Sequence, residues 1–144
     1  MSHKTPFEFF DVTADVGFRA YGHNLEEAFE NAALAVFDTI TDTKRINKQL
    51  IKRIIIESED EKALLYDWLT ELLFIHDSED LIFCQFRVKI RKERSDKFVL
   101  VAEASGEKFN PAIHEIRDEV KAVTFHLMKI QKKKGYTLQA ILDI

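Results

Sequence analysis

The stretch NLEEAFENAALAVFDTI, residues 24–40, leaves this chain little freedom. Its apolar residues, Leu25, Ala28, Phe29, Ala32, Ala33, Val36, Phe37 and Ile40, recur at helical spacing without a gap. Asn24 stands where a helix cap belongs, and Glu27 follows three residues later, as in a capping box. A helix with so continuous an apolar face has to be buried against another element. Most of the remaining apolar sequence alternates instead, so the partner expected is a sheet.

A second helix is expected within EDEKALLYDWLTELLFIH. There Leu64, Leu65, Trp68, Leu69, Leu72 and Leu73 form one stripe, with Ser58 or Asp60 as its cap. Around these helices the chain reads as strands. PFEFFDV and FRAYG flank the turn sequence TADVG, and LIKRIIIES is β-branched. In CQFRVKIRK, Cys84, Phe86, Val88 and Ile90 face inward while Gln85, Arg87, Lys89 and Arg91 face water. The turn ERSDK joins it to FVLVAEASGE as a hairpin. KFNPAIHEIRD is irregular, or carries a short helical turn after Pro111. EVKAVTFHLMKIQ, the turn KKKGY and YTLQAILDI make a second hairpin. In the last strand Tyr136, Leu138, Ala140 and Leu142 share one face, and Thr137, Gln139, Ile141 and Asp143 the other.

The pattern predicts an α+β fold: one domain over residues 1–144, with a mostly antiparallel sheet built from hairpins and two main helices packed on one face. With 4 Gly and 2 Pro in 144 residues, and only the loop at 41–50 resembling a linker, no division into domains is expected.

Charge and cysteine content narrow the function. A net charge of −4 disfavours a strong direct nucleic-acid interface, which needs an excess of Lys and Arg. KIRKER and KKK read as solvated faces, because no aromatic residues interleave with them. No window approaches the ~20 apolar residues that span a bilayer, and MSHKTPFEFF lacks the apolar core of a signal peptide. Cys84 is the only cysteine, which makes a reducing, cytoplasmic setting the default and a small buried hydrophobe its simplest role.

Candidate chemistry gathers at two aspartates far apart in sequence. Asp15, in TADVG, is either a turn residue accepting backbone hydrogen bonds or an oxygen ligand for a cation. Asp143 is either a solvated charge or part of a carboxylate set with the chain's last carboxylate. Carboxylates brought together raise one another's pKa unless a cation neutralises them. Such hard oxygen donors suit Ca²⁺, Mg²⁺ or Mn²⁺ rather than Zn²⁺. The histidines, His3, His23, His76, His114 and His126, show no zinc-ligand spacing. His126 reads first as a satisfied core histidine. Lys121 reads as a snorkelling surface lysine, or as a cation beside an acidic site or a partner's phosphate.

Taken together, TADVGFRAYG, LEEAFENAALAVFDTITD, ALLYDWLTELLFIHD, EVKAVTFH and the terminal DI resemble the archease family, in its order and spacing and over almost the whole chain. The resemblance implies a non-catalytic accessory protein of the RtcB-type RNA ligase of tRNA splicing. Such a protein promotes the ligase's GTP-dependent guanylylation and its multiple turnover, with GTP and tRNA handled by the ligase. It also implies a divalent-cation site, calcium in the family's described cases, formed by Asp15, Asp143 and Ile144. Lys121 and His126 match the family's VKA-T-x-H pattern and become site-proximal candidates. One departure is Val12, where the family usually has histidine before TAD. If Asp15 and Asp143 share a cation, the final strand has to pair beside the first. Competing readings are a small metal-dependent phosphoester hydrolase and a general chaperone or RNA-binding module.

Overall fold

The computed structural model describes residues 5–144. In chain order the elements are β1 (Phe7–Val12), β2 (Asp15–Gly22), α1 (Leu25–Ile40), β3 (Leu50–Ser58), α2 (Glu61–Glu79), β4 (Leu81–Arg94), β5 (Lys97–Lys108), β6 (Ala122–Lys132) and β7 (Tyr136–Asp143). All strand pairs are antiparallel. The expected hairpins and two helices are present. The strands form two sheets, ordered β1-β2-β7-β6 and β3-β5-β4.

The helix caps behave as their sequences require. Glu27 N–H donates to Asn24 Oδ1 at 2.8 Å, and His23 N–H donates to Glu27 Oε1 at 2.8 Å. Asp60, not Ser58, caps α2 by accepting from Ala63 N–H at 2.8 Å. Ser58 ends β3, and its hydroxyl donates to Asp67 at 2.6 Å. The irregular segment after Pro111 makes turns and no helix.

One buried apolar cluster draws on both helices and both sheets, including Phe18, Phe29, Phe37, Trp68, Phe83 and Leu138. Each such large side chain contributes about 2–3 kcal/mol by leaving water. Trp68 Nε1–H donates to Phe29 O at 3.1 Å, which ties α2 to α1 without stranding the indole N–H. The alanines of α1 let it approach closely. Its Glu30 and Glu26 carboxylates accept from Val88 N–H at 2.8 Å and Ile90 N–H at 3.0 Å, closing the outer edge of β4. Helix α1 therefore spans the gap between the two sheets.

Three strand expectations change. Strand β7 pairs with β2 rather than β1, so the last strand is central in its sheet. Neither face of β7 is open along its middle, because Gln139 and Ile141 are buried along with Leu138 and Ala140. Cys84 sits where the β4–β5 register slips between Phe83 and Gln85, so it is half-buried at a bulge rather than one of a regular inward row. Burial pushes its thiol pKa up, which suits an inert side chain.

Candidate metal centre

Hairpin β1–β2 turns through Thr13 and Ala14, with Val12 opposite Asp15. Ala14 takes φ 63°, in the left-handed region. Asp15 is thereby the first residue of β2. The antiparallel pairing of β2 with β7 puts Asp15 directly opposite Asp143. Opposed residues share one face with Cα atoms about 4.5–5.5 Å apart. Residues separated by most of the chain thus present two carboxylates side by side. Asp15 is half-buried and Asp143 exposed. No hydrogen bond or ion pair engages either carboxylate among the described residues.

The end of β7 is held from both sides. Lys121 N–H donates to Asp143 O at 2.7 Å, and Asp143 also faces Ala122 of β6. Ile144 is half-buried, its side chain packed against the core cluster. A groove of about 250 Å³ opens beside Asp15, with Phe10, Asp11, Asp38, Arg117 and Asp118 also in its wall. Arg117 Nη1 lies 3.3 Å from Asp38 Oδ2. Its hydrogen bond to Glu115, and then the charge of Asp38, hold its pKa above the ordinary value. Backbone bonds from Arg117 N–H to Ile40 O and from Asp118 N–H to Thr39 O, each 3.0 Å, pin this loop to the end of α1.

Residues 7–144 match the Archease protein family (MTH1598/TM1083). The chain is 55% identical to protein archease of Methanothermobacter thermautotrophicus over 139 residues, which covers 96% of this chain and 98% of that one. It is 48% identical to protein archease of Pyrococcus furiosus over 126 residues, 88% of each chain. Its fold is similar to the solution structure of Methanobacterium thermoautotrophicum Protein 1598, with a TM-score of 0.81 and 51% identity, covering 96% of this chain and 99% of that one. The chain belongs to the archease family.

In this archease-family protein the β2–β7 end presents two side-chain carboxylates, those of Asp15 and Asp143, and Ile144 follows directly in the chain. Both carboxylates are hard oxygen ligands, the chemistry that suits Ca²⁺ or Mg²⁺. Calcium takes 6–8 oxygens, more than these two carboxylates supply. Among the described residues no group of three or more His, Cys, Asp or Glu side chains converges tightly enough to hold a metal. The two carboxylates fit a hard cation in the chemistry of their donors, and not in number.

The other sequence candidates separate. Lys121 is next to the pair through its backbone, and its side chain is exposed beside a second groove lined by Tyr66, Phe74 and Val123. His126 is not a core histidine: it is exposed, in the stretch of β6 where the register breaks between Thr124 and Lys129. It lies four residues beyond Ala122, roughly 10 Å or more along the strand, so it is not brought to the carboxylates. Val12 flanks the turn opposite Asp15. His3 lies outside the described residues.

Sequence reading missed Asp38, Arg117 and Asp118. Asp38 falls inside a helix and the other two inside an irregular loop, more than seventy residues further along the chain, so no local spacing joins them. It also missed His114 as the loop's anchor. The ring is buried, with Nε2 at 2.9 Å from Glu107 Oε2 and Nδ1 accepting from Asn110 N–H at 2.9 Å.

Proposed function

We propose that this protein is a non-catalytic activator of an RtcB-type RNA ligase in tRNA splicing. In that role it promotes the ligase's GTP-dependent guanylylation and multiple turnover in a cytoplasmic setting. Among the described residues no helix is long and apolar enough to cross a membrane. Family membership supports the reading, and the observation that carries it is the in-register opposition of Asp15 and Asp143.

Asp15, Asp143 and Ile144 would hold a divalent cation, calcium or another hard ion. The bound ion supplies positive charge between these carboxylates and a partner's phosphate or side chain. The chain's own residues do the positioning. The β2–β7 ladder fixes the spacing of the two carboxylates, and the Ile144 side chain anchors the last backbone oxygens. Lys121 holds the end of β7 through its backbone N–H. An incomplete protein shell leaves coordination sites for the partner, which couples cation binding to ligase engagement.

The test is multiple-turnover ligation of tRNA halves with the ligase, GTP and calcium. The protein is expected to raise turnover, and Asp15→Asn and Asp143→Asn to abolish that effect while circular dichroism stays native. Full stimulation by both variants would contradict the proposal. Metal-dependent phosphate release by the protein alone would favour a phosphoester hydrolase instead.

A further inference from the structure

The two sheets have four edge strands, β1, β6, β3 and β4. An open edge is a template for pairing with another chain, and proteins usually blunt it. Three of the four are blunted here. On β4, Glu30 and Glu26 take the outward N–H groups of Val88 and Ile90, and the register slips twice. Strand β6 is broken between Thr124 and Lys129, with Leu127 at φ 59°. Strand β1 has only 6 residues and follows Pro6.

Strand β3 has no break, bulge, proline or carboxylate cap, and its one inward charge, Lys52, is neutralised by Glu79 Oε1 at 2.7 Å. It runs 9 residues, and its register with β5 is unbroken from Leu50 opposite Gly106 to Ser58 opposite Phe98. Among the described residues, no group outside β5 bonds to its backbone. Its solvent face carries Ile51 and Ile55, each 62% exposed, with Arg53 and Glu57 between and beyond them.

We propose that β3 pairs antiparallel with β3 of a second copy, joining two three-stranded sheets into one six-stranded sheet across a two-fold axis. The sequence of β3 chooses the register. With the axis at Ile55, Ile55 meets its own mate and Arg53 meets Glu57 of the partner subunit, twice by symmetry. On the other face Ile54 meets the partner's Ile56, and Lys52 meets the partner's Ser58. Moving the axis to Arg53 would stack the two arginines, which like charge disfavours. Glu57 already lies 3.0 Å from Lys97 Nζ, and its side chain is still 59% exposed, so it can accept from both cations. An isologous contact of this kind closes as a dimer and does not propagate. The contact is confined to one strand per chain, so the dimer is weak and concentration-dependent. It uses the sheet that contains neither Asp15 nor Asp143 and leaves their pairing unchanged.

Sedimentation equilibrium over a concentration series tests this, with circular dichroism to confirm folding. The wild-type chain is expected to pass from monomer to dimer. Arg53→Glu alone and Glu57→Arg alone each set like charges opposite one another twice, and should weaken dimerisation about tenfold or more. An equal mixture of these two variants restores opposite charges at both pairs and should dimerise as a heterodimer. Ile55→Lys, which places two cations on the axis, gives an independent reading and should be monomeric. A wild-type chain that stays monomeric at the highest concentration overturns the proposal. So does a dimer that survives the single variants, or a mixture that fails to recover.

Discussion

At the scale of residues, the acidic pair depends on how tightly β1 and β2 are held. Phe10 lies opposite Gly17 in the register, and a Cβ added to Gly17 would run into its ring. Arg19 lies over the same ring, 4.5 Å from its centroid, and donates through Nε to Gln139 Oε1 at 3.1 Å. Gln139 Nε2–H in turn donates to Leu127 O at 2.9 Å. This row ties all four strands of the sheet together, with Arg19 four residues from Asp15 and Gln139 four from Asp143. Gly17→Ala should therefore cost about 1–3 kcal/mol, read by denaturant unfolding. Adding Phe10→Ala should recover part of that loss, and strictly additive effects would show that ring and glycine are not in contact. At Ala14, with φ 63°, replacement by glycine should relieve about 1 kcal/mol of backbone strain and raise the melting temperature.

At the scale of elements, the sequence was most legible where one period dominated. The gapless stripe of residues 25–40 and the capping pair Asn24 and Glu27 give α1 as observed, and Asn24→Ala should cost about 1 kcal/mol in thermal unfolding. The β5–β4 and β6–β7 hairpins were legible for the same reason. Bulges were not. The slips at Cys84 and near His126 conserve apolar composition while shifting its phase, so alternation assigns both residues to the wrong surroundings. Which strand neighbours which was also hidden. Pairing β7 with β2 is a choice among long-range contacts, and local pattern does not encode it. Likewise the wall of Asp38, Arg117 and Asp118 exists only because the 115–118 loop binds the end of α1. Gly106 marks a close approach between strands, since a Cβ there would meet the backbone of Ile82 and Phe83. Gly106→Ala should destabilise by more than about 2 kcal/mol, because backbone cannot step aside.

At the scale of the whole molecule, one buried linkage connects the loop that walls the groove to the core. Glu107 accepts from Asn47 N–H at 2.7 Å and faces His114, and those bonds hold its pKa below the ordinary 4.5. A depressed carboxylate contributes stability above its unfolded pKa and loses it as pH falls through the lower folded value. Unfolding free energy should therefore decline below pH 4.5, and Glu107→Gln should flatten that decline while lowering stability at neutral pH. The same fold brings the β1–β2 turn and the end of β7 together at one acidic spot, and the proposed function rests on that meeting. Calorimetric titration of the purified protein with calcium tests it most directly. The account predicts one site per chain, weakened about tenfold or more by either Asp15→Asn or Asp143→Asn, with the fold intact. Calcium binding that persists undiminished in both variants would contradict it.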